Sequence, residues 1–150
     1  MRQILFLLSV ILFFAGCGSA TNSRQESDVI EISISELLAE PFEFDGKNVR
    51  IEGVISHVCR HSGDKMRVLQ DGSDLTIQVM LGNYTGSFGT ESEGERVNLT
   101  GLLTAELINI DDLGDDHDCE DDLQAVEALK ARGLNPEIRT FISLNHFETK

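Results

Sequence analysis

From Val49 to His61 the chain alternates with a period of two, a pattern that suits a β-strand and little else. Side chains two apart on an extended strand share a face. Val49, Ile51, Gly53, Ile55, His57, Cys59 and His61 therefore fall on one side, and Asn48, Arg50, Glu52, Val54, Ser56, Val58 and Arg60 on the other. The first set is apolar through Ile55, which marks it as the core side. It then becomes an imidazole, a thiol and a second imidazole. Such a strand delivers three candidate metal ligands to the mouth of a hydrophobic core. A bulge, for which Gly53 is the natural place, would invert the phase.

The segments around this strand are short and mostly of the same kind. Ile32 to Pro41 predicts a helical turn or two, with Ser33 or Ser35 as N-cap, Ile34, Leu37 and Leu38 as its apolar stripe, and Pro41 as the stop. The turn Asp45-Gly46 leads into the first strand at about Lys47. Ser62-Gly63-Asp64 is a turn, Lys65 to Gln70 a second strand, and Asp71-Gly72-Ser73 a hairpin turn. Leu75 to Leu81 follows as a third strand. Gly82 to Glu95 reads as a loop with Tyr84 and Phe88 as anchors, and Arg96 to Leu107 as a fourth strand. A helix is expected from about Asp122 to Arg132, with Gly133 at C′ and Pro136 beyond. The fifth strand, Ile138 to Phe147, carries Ile138, Thr140, Ile142, Leu144 and His146 on one face.

This order resembles an OB-fold, a partly open five-stranded Greek-key barrel. The expected class is mainly β: a five-stranded OB-fold-like barrel with a short N-terminal helix and one helix before the last strand. A β-sandwich is the alternative. In the familiar OB-fold the helix lies between the third and fourth strands, where this chain has a loop.

Residues 1–16 read as a targeting segment. Arg2 is followed by an apolar run from Ile4 to Ala15, interrupted only by Ser9 and too short to span a bilayer. Phe14-Ala-Gly-Cys17 resembles the lipobox of bacterial lipoproteins, with Phe in place of the usual Leu. That resemblance implies lipidation of Cys17, membrane attachment without a transmembrane helix, and, with Gly18 next, placement on the periplasmic face of the outer membrane. A plain secretory signal is the alternative. Residues 17–30 form the lipidated N-terminus and a small, polar tether, and 31–150 a single barrel domain.

Charge narrows the partners. The chain has 26 acidic and 12 basic side chains, a formal net charge of −14. Nucleic acid is therefore an unlikely partner, because non-specific affinity for it comes from cations set on phosphates. Metal ions, cationic ligands and basic proteins are favoured. With Cys17 lipidated, Cys59 and Cys119 remain in an oxidising compartment, where a Cys59–Cys119 disulfide competes with any ligand role. The metal alternative gathers His57, Cys59, His61, His117 and Cys119, a donor set for zinc or, with Met66, for copper. The two pieces stand far apart in sequence, so only the fold could join them. The carboxylate-rich stretch from Asp111 to Asp122 lacks the order of an EF-hand loop and reads as a solvated entry to the helix. No phosphate loop, serine elbow or Cys-x-x-Cys pair occurs, and the expected protein is not an enzyme.

Gly46-Lys47-x-Val49-x-Ile51-x-Gly53, then His57-Val-Cys-Arg-His61-Ser-Gly63, then His117-x-Cys119, resemble OB-fold-like lipoproteins of the Bacteroidetes type. That pattern often has a further cysteine shortly after the Ser-Gly, where this chain has Met66. The resemblance implies location and fold and no activity. Together these readings lead to a lipid-anchored periplasmic binding module with a candidate zinc or copper site. The alternative is an interaction lipoprotein, braced by the disulfide, whose barrel face docks a protein, an oligosaccharide or nucleic acid.

Overall fold

The computed structural model describes residues 28–108 and 121–150. Its six strands are β1 (Ile30–Glu31), β2 (Asn48–Val58), β3 (Lys65–Leu69), β4 (Thr76–Met80), β5 (Arg96–Leu107) and β6 (Ile138–Thr149). The helices are α1 (Ile34–Ala39), α2 (Pro41–Phe44) and α3 (Asp121–Ala131). The five long strands are those the periodicity predicts. β1, a two-residue strand parallel to the start of β2, was not foreseen.

The sheet runs β1-β2-β3-β4-β6-β5, and β5 pairs in turn with β2. Hydrogen bonding thus returns to its starting strand and closes a ring of five. Every neighbouring pair in the ring is antiparallel except β4 and β6. Inside lie Val49, Ile51 and Ile55 of β2, Met66 and Val68 of β3, Ile77 and Val79 of β4, Val97, Leu99 and Leu103 of β5, and Ile142 and Leu144 of β6. Each of these strands carries two or more inward apolar side chains that no single neighbour could cover, so closure is what removes them from water. Among the described residues, the strands and core side chains that form the ring all fall between positions 30 and 149. A chain restricted to these residues therefore keeps everything that closes the ring.

Local chemistry sets the ends. Ser33 caps α1 with a full capping box: its hydroxyl accepts the Glu36 amide at 3.3 Å, and the Glu36 carboxylate accepts the Ser33 amide at 3.2 Å. The Ser33 hydroxyl also donates to that carboxylate and holds its pKa below the ordinary value. Pro41 stops α1 and also opens α2, since proline suits a first helical position. α3 ends in a Schellman motif. The Gly133 amide bonds to Lys130 O, the Leu134 amide bonds to Leu129 O at 3.0 Å, and Gly133 takes the positive φ of 70° that glycine allows.

Two strands do not keep the phase that strict alternation assigns them. In the β2–β3 ladder Ile55 faces Val68 but His57 faces Arg67, so Ser56 is an extra residue in β2. In the β5–β6 ladder Thr100 faces His146 but Gly101 faces Leu144, so Asn145 is extra in β6. Each is a β-bulge, and each inverts the faces beyond it. Val58 enters the core instead of His57, and Phe147 packs on the core where His146 was expected. His146 is exposed. Gly53, where a bulge would also have inverted the phase, is a regular ladder residue.

Candidate functional site

The Ser56 bulge decides what the His/Cys segment can do. With Ser56 and His57 both outside the core, the imidazole leaves the face that Ile55 occupies. His57 Nδ1 lies 3.6 Å from a Glu93 carboxylate oxygen, and the same oxygen accepts the Val58 amide at 3.1 Å. Alongside, Ile55 exchanges backbone hydrogen bonds with Gly94 and Glu95, so the loop after Thr90 replaces β5 as the neighbour of this part of β2. Cys59 is buried, 5% exposed, yet stands outside the core cluster that holds Val58. It opens the β2–β3 loop, whose turn is closed by the Gly63 amide on Cys59 O at 2.9 Å. His61 is exposed on that turn.

The single face bearing His57, Cys59 and His61 is therefore not formed: the first is on the outer side of β2, the second is buried, and the third is in solvent. Among the described residues no three His, Cys, Asp or Glu side chains converge to hold an ion. His117, Cys119 and Cys17 lie outside the described residues, as does the acidic stretch up to residue 120. The five-residue ligand set and the Cys59–Cys119 disulfide both depend on those positions.

A different constellation emerges on the outer side of β3 and β4. Helix α3 lies over it, and a groove of about 410 Å³ runs between them, floored by Arg67, Gln78 and Phe141 and roofed by Val126 and Leu129. A second cavity, about 610 Å³, opens on the other flank of α3 beside His57, Asp74 and Glu127. Arg67, Thr76 and Ala125 border both, so the two spaces meet under the helix at its small Ala125 side chain. Thr76 Oγ1 is shielded from solvent there and has no hydrogen-bond partner among the described residues. A buried hydroxyl without a partner costs about 1–3 kcal/mol, which a water or ligand group would recover.

The helix is pinned at one end. Arg132 donates from Nε to Asp74 in the β3–β4 turn at 2.8 Å, with a second guanidinium nitrogen 2.6 Å from the same oxygen. The Arg132 hydrogen bond comes first among the causes that hold the Asp74 carboxyl below its ordinary pKa. A carboxylate with a depressed folded-state pKa stabilises the fold above its unfolded value, and that contribution is lost as pH falls through the folded value. Acidification through and below the carboxylate range should therefore release this end of α3, and Asp74→Asn should do so at neutral pH. The expected result is amide exchange across residues 124–134 that is faster by roughly two- to fivefold, the scale of one exposed ion pair, with the ring strands unchanged. Unchanged exchange in Asp74→Asn would show that the pair does not hold the helix.

Three features were missed in the sequence: the covered outer face, the buried Thr76 hydroxyl and the Arg132–Asp74 clasp. The outward residues of β3 and β4 could have been read from alternation. Nothing local says that a helix folds back over them.

The arrangement defines a class, a small closed β-ring with one helix-covered outer face. No protein-family model and no curated protein matches the chain. Solved structures do. The chain is similar to an aspartyl-tRNA synthetase from Entamoeba histolytica, with 13% identity and a TM-score of 0.50 over 83% of this chain and 22% of that one. It is also similar to a protein assigned as an aspartyl-tRNA synthetase from Leishmania major Friedlin (15% identity, TM-score 0.49, 86% and 22% covered). An asparaginyl-tRNA synthetase from Entamoeba histolytica follows at 14% identity and a TM-score of 0.42, with 82% and 23% covered. The chain spans less than a quarter of each of these enzymes, and at such identities the likeness shows the fold alone.

Proposed function

We propose that this chain is a lipid-anchored, non-enzymatic binding module with an OB-like barrel, which holds its ligand on the outer face of β3 and β4. The observation that carries the reading is the groove between that face and α3. In OB-folds the second and third strands, flanked by the loops after strands one and four, form the usual ligand surface. Counted along the chain, β3 and β4 are the second and third strands of the ring. The loop Cys59–Asp64 and the connection bearing α3 follow the first and fourth. The departure in helix position thus acquires a meaning: the helix stands over the surface where a ligand would bind. The Cys17 motif supports attachment by lipid, and no helix among the described residues is long and apolar enough to cross a membrane. The negative charge of the whole chain disfavours nucleic acid.

The test has two readouts. Expressed with its leader in a bacterium with two membranes, the wild-type chain should sediment with outer membranes and carry the mass of a lipid, and Cys17→Ala should appear in the soluble periplasm. Wild-type chain recovered soluble and unmodified would sink the anchor. Native mass spectra of residues 28–150, purified from periplasm without chelator, test the metal alternative directly. A one-to-one zinc or copper adduct would favour the Cys/His donors as the functional site, and a metal-free mass would favour the groove.

A further inference from the structure

The connection that carries α3 leaves the ring and returns to it at a single point. The outermost ladder pair of β5 and β6 is Leu107 with Ile138, and just beyond it the Ile108 amide donates to Glu137 O at 2.8 Å. The Asn135 side chain tightens this base by accepting the Glu137 amide at 2.9 Å. None of these bonds involves α3, and no ladder pair of the ring does either. The helix and its Gly133–Leu134 cap form one hydrogen-bonded unit, joined to the base on this side by Asn135 and Pro136.

Over the face of β3 and β4 that unit is lightly held. Of its residues 124–131, none is buried, whereas every strand of the ring has side chains in the core. Leu129, and Leu134 after the helix, reach the core cluster only as partly buried side chains. Beneath the helix lie the two spaces of about 410 and 610 Å³, and Thr76 Oγ1, which this cover shields from water without supplying a partner. Arg132 and Asp74, which clasp the helix end to the β3–β4 turn, are each about half exposed, and water screens a pair so placed. Little buried apolar surface and unfilled space are the marks of a segment that opens on its own.

We propose that α3 is a lid that lifts off the outer face of β3 and β4 as one unit, turning about its base at Asn135 and Pro136, while the ring stays closed. Opening hydrates the Thr76 hydroxyl and uncovers the row Arg67, Gln78 and Phe141, which ladder register sets side by side on three strands. That the motion admits a ligand rests on the ligand-face reading above; the motion itself does not. Where it does admit one, the apparent affinity of the face is scaled by the fraction of chains with the lid open.

The experiment is native-state amide exchange, followed by NMR, on ¹⁵N-labelled residues 28–150 at rising urea below the unfolding midpoint. A helix of eleven residues is marginal in water by itself, so α3 melts once it leaves the sheet and its amides exchange together. Protection across residues 124–134 should be uniform and at least about a hundredfold lower than in β3 and β5, with little dependence on urea. Exchange of α3 with the rates and urea slope of β3 and β5 overturns the lid and leaves a groove of fixed shape. Protection that falls steadily toward one end of the helix overturns the single unit in favour of fraying. As a second test, an Asn-Gly turn in place of residues 109–136 would join Ile108 to Glu137 as a two-residue hairpin. That chain should keep the β5–β6 amides protected; its failure to fold would show that α3 is part of the core and no lid. A one-to-one metal adduct in the native mass spectra would instead move the ligand to the Cys/His donors and leave the exchange of α3 as stated.

Discussion

Gly101→Ala should cost about 3 kcal/mol of stability, as much as a substantial overpacking change in a core. A Cβ on Gly101 would sit 2.3 Å from the carbonyl oxygen of Ser143 and 2.5 Å from a methyl of Ile142. The first is backbone of β6, the strand paired with β5, and cannot swing aside as a side chain could. The clash is located where Asn145 bulges, so β5 and β6 approach closely just where the strand bends. Gly53→Ala meets the same obstacle less severely, with a Val68 methyl at 2.5 Å and Leu69 O at 2.6 Å. Urea denaturation should show both midpoints lowered, Gly101→Ala by more, with unchanged slopes. A Gly101→Ala chain as stable as wild type would mean that β5 and β6 are not paired in this register.

The second large effect separates neighbours. Val58→Ser should cost about 3 kcal/mol, the sum of lost apolar burial and an uncompensated buried hydroxyl, because Val58 is 2% exposed within the core. His57→Ser should change stability by less than about 1 kcal/mol, since its side chain is partly exposed on the outer face beside Glu93. Uninterrupted alternation gives the opposite ranking, with His57 inside and Val58 outside. Comparing the two midpoints therefore reads the bulge directly. A greater loss from His57→Ser would restore the single His57, Cys59 and His61 face, and with it the geometric case for a metal site at the end of β2.

Both phase reversals have one cause, and it marks how far periodicity can be taken. Alternation located all five long strands to within a few residues, because each buries one face and the pleat has a period of two. Unbroken alternation also fits the buried side chains Leu75, Ile77, Val79 and Leu81 around β4 and Val97, Leu99 and Leu103 of β5, since those strands run without interruption. It failed beyond Ser56 and beyond Asn145. Neither residue carries a signal of its own: a bulge is chosen by the pairing partner and by the bend that closure requires, not by the bulged side chain. Helix signals fared better because caps are local. Ser33 with Glu36, and Gly133 before Pro136, act within a few residues of the ends they set.

The candidate site divides the same way. The donor types in His57-Val-Cys-Arg-His61 were plain to see, but their mutual direction was not, because one inserted residue turns an imidazole through half a turn about the strand. The row Arg67, Gln78, Phe141 was invisible in the chain, since its members come from three strands and are joined by ladder register alone. Strands, caps and turns are thus written in the sequence, because short-range sterics and alternation determine them. Which faces meet, where the phase slips and what α3 covers belong to the tertiary structure. Those outcomes depend on closing a ring of five strands, a condition that no single segment contains.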